Sequence, residues 1–269
     1  MKLRKQLLVK PGQLVTLAKL DTGHTFGWEK SDAVAKRLEQ NTARIAELQW
    51  SLFAESRHAV LIILQGMDAS GKDGTVRHVM TGLNPASCRV TSFKVPSVEE
   101  ARRDYLWRIH KVVPARGEIG VFNRSHYEDV LIVRVRQLVP KDVWKRRYDQ
   151  INDFEQMLTE NGVTILKFFL HIDKAEQRVR LRARLSDPTK NWKFERGDLD
   201  VRRQWNLYQR AYEDALSRCS TKWAPWFVVP ANKKWFRNLA VSEILRATLD
   251  DLNPRFPKPL FDVTKIRVV

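Results

Sequence analysis

The 269-residue chain has only two cysteines, Cys88 and Cys219. They are far apart and form no C-x-x-C pair, so a disulfide framework or thiolate metal site is not expected. Buried free thiols are expected instead. No stretch reaches the apolar length a bilayer-spanning helix needs. The first ten residues lack the apolar core of a secretory signal, so a cytoplasmic protein with no membrane partner is expected. Internal repeats and low-complexity tracts are also missing, which sets aside repeat architectures. Acidic residues are in short supply: 31 Asp and Glu stand against 48 Lys and Arg, a formal charge of +17. Such a field favours a polyanion, namely nucleic acid, an acidic membrane surface or a phosphate polymer. A basic surface kept for solubility is the simpler alternative. The length suits one domain with appendages.

The most informative segment is Gly66-Met67-Asp68-Ala69-Ser70-Gly71-Lys72-Asp73-Gly74-Thr75. It follows the apolar run 59–64 and precedes a helical pattern. Strand, glycine-framed loop, lysine and helix form a phosphate cradle: backbone N–H groups point inward and the helix aims its positive end at the same point. The spacing G-x-x-x-x-G-K is the Walker A pattern. Asp73 departs from it, standing where Ser or Thr ordinarily ligates Mg²⁺, and Asp68 puts a second carboxylate inside the loop. A carboxylate beside phosphate implies a cation between them, so Asp68 is a metal candidate. A chance match in a glycine turn is the competing reading, and placement after a buried strand argues against it.

Apolar periodicity predicts a helix over 31–57 and strands at 59–65, 89–93, 118–122, 163–170 and 226–229. Ser97 and Glu100 form a capping box opening a helix to about 111. Further helices are expected from about 127 to 162, interrupted at Pro140, and over 174–185, from about 200 to 217, and 236–251. Residues 186–200 read as a polar stretch. Residues 1–28 read as an irregular arm, 29–257 as the main domain with a lid over about 178–205, and 258–269 as a tail. Apolar strands alternating with helices predict a parallel sheet covered on both faces, with ligands beyond its carboxyl edge.

Two more constellations belong to that edge. Asn123-Arg124-Ser125-His126-Tyr127-Glu128-Asp129 follows the third strand. Arg124 can fork onto phosphate oxygens, and Glu128 and Asp129 supply carboxylates. The same acids would suit a solvated helix start. His126 reads as structural rather than as a phosphate carrier. The other constellation is Arg178, Arg180, Arg182 and Arg184 running into Pro188, Trp192 and Phe194. Arg178 and Arg182 share one helix face, Arg180 and Arg184 another, and one pair can enter the site. A basic helix leading into an aromatic loop suits a lid. An exposed helix with Trp192 and Phe194 in the core is the alternative.

Together these three motifs closely resemble the polyphosphate kinase 2 family. The resemblance runs from about residue 9 to 257 and includes 91–97 and 224–231. It implies an α/β P-loop kinase fold, with a parallel five-stranded sheet between helices and a helical lid. It implies Mg²⁺-dependent phosphoryl transfer, with Mn²⁺ as a substitute, between inorganic polyphosphate and AMP, ADP or ATP. Asp68, Lys72, Arg124, Glu128 and Arg184 are then the catalytic candidates, with Asp68 and Glu128 on the metal. Gly66, Met67, Ala69, Ser70, Gly71, Asp73, Gly74, Thr75, Arg134 and Arg182 are phosphate-side candidates. Phe93, Lys94, Asn123 and Lys193 are nucleotide-side candidates. Family members restricted to diphosphates tend to show Asp-Arg-Ser-x-Tyr-Asn in the second motif, and members accepting AMP and ADP tend to show Asn-Arg-Ser-x-Tyr-Glu. Asn123 and Glu128 match the latter, the class III branch. Glu195-Arg196-Gly197-Asp198 departs from that branch, which usually has Asn-Pro before Gly-Asp, and leaves the lid's closed shape and substrate range open. The family also implies a dimer or tetramer.

The charge then suits a phosphate polymer, with Lys5, Arg89, Lys94 and Lys190 as guesses for its track. An ADP-only member and an ATP-dependent nucleoside monophosphate kinase are the alternatives within the class. A basic nucleic-acid-binding P-loop protein is the alternative outside it. The aromatics are not interleaved with basic residues as nucleic-acid recognition would require.

Overall fold

A computed structural model describes residues 2–268. The amino-terminal part comprises α1 (Lys2–Leu7), α2 (Asp32–Glu55), β1 (Ala59–Gln65), α3 (Lys72–Val79), β2 (Cys88–Ser92), α4 (Val98–Ala101) and α5 (Trp107–His110). Then come β3 (Ile119–Asn123), α6 (Ile132–Val135), α7 (Lys141–Glu160), β4 (Val163–His171) and α8 (Lys174–Ser186). The chain continues through α9 (Gly197–Arg203), α10 (Trp205–Arg218), β5 (Trp226–Pro230) and α11 (Lys234–Leu252).

The five strands form one sheet in the order β2-β3-β1-β4-β5, parallel at every pairing. Each residue of β1 is buried, which requires cover on both faces and explains why the run is apolar throughout rather than alternating. The register sets Leu64 opposite Asn123. The phosphate loop after β1 and the second motif after β3 therefore leave neighbouring strands at the same edge. Gln65 Nε2 donates to Ser125 Oγ at 3.2 Å, and Arg124 N–H donates to Leu64 O at 3.1 Å. These two bonds tie the loops at their roots.

The expected arm is more ordered than residues 1–28 suggested. It opens with α1, whose Leu3 and Leu7 are buried. Leu8 bridges Phe227, and Leu17 O and Leu20 O both contact His171 Nε2 at 3.2 Å. The single helix expected over 97–111 is broken. The Ser97–Glu100 capping box forms, but Asp104 then accepts from the N–H groups of Leu106 and Trp107 and starts α5 afresh. Such a side-chain-to-backbone bond competes with helix continuation. The helix expected from 127 is also shorter: a 3₁₀ turn at His126–Asp129 precedes α6, and the long helix starts only at Lys141. The polar stretch contains a turn at Asn191–Lys193 and the start of α9. Residues 258–268 are exposed. Cys88 and Cys219 are both free. Among the described residues no helix is long and apolar enough to cross a membrane.

Candidate active site

The phosphate loop is shaped by where its carbonyl groups point. Gly66 O and Met67 O accept from Lys72 Nζ at 2.7 and 3.4 Å. Asp68 O accepts from Gln177 Nε2 at 3.0 Å. Ala69 O and Ser70 O accept from Arg180 Nη1 at 3.0 and 2.8 Å, and Gly71 O accepts from Thr75. Every carbonyl from 66 to 71 thus has a donor. In contrast, the N–H groups of Asp68, Ala69, Gly71, Lys72, Asp73 and Gly74 have no acceptor among the described residues. A loop with pinned carbonyls and open amides is preorganised for an anion at the start of α3. Ala69 is held at φ +64°, and Gly71 at +106°. The latter suits only glycine at low cost. The side chains of Met67, Ser70 and Thr75 are buried, and the N–H groups of Ser70 and Thr75 donate to Met67 O and Gly71 O, so Ser70 and Thr75 shape the loop rather than offer a donor to phosphate.

Arg124 crosses from the second motif to this loop. It sits at φ +64°, a conformation uncommon outside glycine that recurs at functional sites. Its Nη2 donates to Asp68 Oδ1 at 2.9 Å. Glu128 and Asp68 together raise the Arg124 pKa despite the opposing effect of burial. Burial, with Arg124 nearby, lowers Lys72 to about 8, against the attraction of Asp68, Glu128 and Asp73. Asp73 is held by Asn123 Nδ2 at 2.7 Å and by Lys193 Nζ at 3.4 Å. Burial pushes its carboxyl up, but these two partners outweigh that and leave it below its ordinary value.

Lid residues reach the same place. Of the two arginine pairs on α8, Arg180 and Arg184 face inward. Arg180 also donates to Ala231 O and Asn232 O and pairs with Glu176. Arg184 lies 3.5 Å from Asp198 Oδ2. Asp198 is raised above its ordinary pKa by burial and then by Asp68, so the lid's carboxylate lies within electrostatic reach of the loop's. From α10, Tyr212 is buried within the electrostatic reach of Glu128 and Asp68.

Several expected site residues sit elsewhere. Arg182 is exposed on the outer face of α8, and its charge and that of Arg178 bear on Arg202. Arg134 is taken by Asp214 at 2.6 Å and Tyr148 at 3.0 Å, so it is an inter-helix clamp rather than a free phosphate ligand. Phe93 is buried edge-on against Phe122 with Arg108 over its ring, which leaves no face for a base. Lys94 is exposed, and its carbonyl is held by Arg108. Lys190 is paired with Asp187. Asp129 turns away to Arg147 at 2.8 Å. Trp192 is 76% exposed and is not part of the core.

His126 is sealed inside. Its Nε2 lies 3.2 Å from Glu155 Oε1. Glu155 in turn pairs with Lys167 at 2.5 Å, and Lys167 also donates to Tyr127 Oη and Cys219 O. This fully buried cluster of His126, Glu155, Lys167 and Tyr127 anchors the turn carrying Arg124 and Glu128. Sequence reading missed it, as it missed Gln177, Asp198 and Tyr212. The alternating arginines did signal one inward face, but nothing marked Glu155 or Lys167.

Among the described residues, no group of three or more His, Cys, Asp or Glu is placed to hold a metal. Asp68 and Glu128 nevertheless act together on Lys72 and Arg124. Two carboxylates suffice for a hard cation that takes its other ligands from water and substrate phosphates, so the residues present fit such an ion.

Comparisons with known proteins agree with this geometry. An AMP/ADP-polyphosphate phosphotransferase of Meiothermus ruber is 52% identical over 95% of this chain and 96% of its own length. An ADP-polyphosphate phosphotransferase of Rhodopseudomonas palustris is 45% identical over 94% and 92%. The crystal structure of polyphosphate kinase 2 from Arthrobacter aurescens TC1 superposes with a TM-score of 0.93 at 47% identity, covering 97% of this chain and 94% of that one. The family model described as Polyphosphate kinase 2 (PPK2) matches residues 29–257, which include the loop, the second motif and the lid. The family model, the two relatives and the superposed structure thus agree that this chain is a phosphotransferase, and it belongs to the polyphosphate kinase 2 family.

Proposed function

We propose that this enzyme transfers the terminal phosphoryl group of inorganic polyphosphate to AMP and to ADP, giving ADP and ATP. The observation that carries the reading is the carbonyl-pinned, amide-open loop bearing Lys72 and Asp68, with Arg124 bonded to Asp68 and the lid's Arg184 beside Asp198. An oxygen of the acceptor's terminal phosphate attacks the terminal phosphorus of the donor in line. The bond from that phosphorus to the bridging oxygen breaks, and the chain leaves one phosphate shorter, carrying the electron pair. The acceptor oxygen is already ionised, so no strong base is required, and the site's task is positioning and charge stabilisation. The loop amides and Lys72 hold the donor's end. Arg124 and Arg184 take up charge on the transferring group, and Asp68 fixes Arg124. The lid, through Arg184, Lys193 and Asp198, excludes water.

Enzymes of this family are metal-dependent, and Mg²⁺ held by Asp68 and Glu128 is the proposed ion, with Mn²⁺ as substitute. Held there, it would supply positive charge to the phosphate oxygens. We also place the enzyme in the cytoplasm, where its nucleotides are, and expect a homo-oligomer. The exposed apolar side chains of Leu260, Phe261 and Ile266 in the tail support that expectation.

The two relatives differ in the acceptor they are named for. The Asn-Arg-Ser-x-Tyr-Glu pattern at 123–128 and the relative named for both acceptors support AMP as well as ADP. Separate incubations with polyphosphate and AMP or ADP, without ATP, test this by chromatography. ADP from the first and ATP from the second are expected; product from ADP alone would point to the ADP-only reading.

A pH dependence follows from Lys72. Its charge is present below about 8 and lost above it in the free enzyme. Hence kcat/KM for polyphosphate is expected to fall as pH rises through that value. Bound phosphate favours the ammonium, so the fall in kcat is expected at higher pH. Initial rates at low and saturating donor check this, and a flat kcat/KM profile across the window would contradict it.

A further inference from the structure

Helix α11 puts Arg237 directly under the phosphate loop. The residue is 2% exposed. Its Nη1 reaches Ser70 O at 3.5 Å, and its Nε and Nη2 donate to Asn238 Oδ1 at 3.1 and 2.8 Å. A Cβ on Gly71 would fall 1.8 Å from Nη1, and one on Gly74 would fall 3.1 Å from Nη2. The guanidinium therefore lies against bare glycine backbone on the carbonyl side of the loop. No carboxylate pairs with it among the described residues, and the charge that bears on it is that of another cation, Arg180. Burial and that like charge lower its pKa to about 10.

A buried cation without a counter-charge is strongly unfavourable. The position makes sense if the counter-charge arrives with the ligand. We infer that Arg237 is a positioning residue for the phosphate donor, a buried cation balanced by phosphate oxygens that enter the loop from its amide side. The inference rests on the donor reading above. Arg237 does not touch the donor. It acts through Ser70, Gly71 and Gly74 and through its field, which is weakly screened under the loop.

The consequence separates this role from simple packing. A packing residue, when replaced, lowers both stability and binding. Removing an unbalanced buried charge while keeping bulk leaves the free protein as stable or more stable, yet weakens donor binding. Arg237→Met and Arg237→Lys test this through thermal unfolding with and without inorganic triphosphate in magnesium chloride, and through KM for polyphosphate and for AMP. For Arg237→Met, unfolding without triphosphate is expected at or above the wild-type temperature. The rise on adding triphosphate should shrink, and KM for polyphosphate should increase about tenfold with KM for AMP little changed. Arg237→Lys keeps the charge and is expected to stay within about threefold of wild type in KM for polyphosphate.

Loss of stability in Arg237→Met with unchanged KM for polyphosphate would overturn the inference. So would a tenfold rise in that KM for Arg237→Lys, which decides the matter should the methionine variant not fold. A wild-type protein that does not respond to triphosphate would remove the donor reading as well. A normal wild-type response with an unaffected Arg237→Met would remove this inference alone.

Discussion

Lys72→Ala is expected to lower turnover by about a hundredfold to a thousandfold, the range seen when one preorganised charge-stabilising group is deleted. The ammonium sits 2.7 Å from Gly66 O in a loop whose amides already face inward. It is the one side-chain cation on the loop itself, and burial makes its field count. Stability should change little, because two effects oppose each other. Gly66 O loses its donor, but a buried charge whose pKa is depressed to about 8 is also removed. Steady-state rates beside a thermal melt give the answer: a folded protein with its turnover collapsed. Near-normal turnover in Lys72→Ala would mean that the cradle is not where the chemistry happens.

Lys167→Met carries the second large effect, this time on stability. Lys167 and Glu155 are both fully buried and 2.5 Å apart. Burial pushes the Glu155 carboxyl up, and Lys167 and His126 outweigh this to leave it below its ordinary value. Removing the lysine leaves a buried carboxylate facing only His126 and Tyr127, at a cost of about 3–5 kcal/mol. For a chain of this size that is a fall in Tm on the order of 10 °C. Adding Glu155→Gln removes the orphaned charge while keeping polar atoms for His126 and Tyr127, and should recover part of the loss. Calorimetry of the two variants reads both numbers. Wild-type stability in Lys167→Met would show that the pair does not hold the turn bearing Arg124 and Glu128.

The features legible in the sequence were those set by local pattern. The run 59–64 is apolar at every position because β1 is central in a parallel sheet, and G-x-x-x-x-G-K after it marks the cradle. Ser97 and Glu100 form the expected capping box. The features that were not legible depend on partners distant in the chain. Asp104 breaks a helix that residues 97–111 otherwise favour, because its side chain outcompetes the next backbone carbonyl. Two arginine faces on α8 are equivalent in sequence, and only the position of the loop carbonyls, which bind Arg180, turns its face rather than that of Arg182 inward. Arg134 follows the second motif, as a phosphate ligand would, but Asp214, 80 residues away, claims it. Phe93 directly follows β2 at the site edge, yet its ring packs on Phe122 instead of facing a base.

The most direct test of the central claim follows phosphorus itself. Wild-type protein, AMP, polyphosphate and magnesium chloride, with no ATP, are observed together by ³¹P magnetic resonance. The account predicts that a β-phosphate signal of ADP grows in as polyphosphate is consumed, with little free orthophosphate. Unchanged AMP, or orthophosphate released in place of ADP, would contradict it.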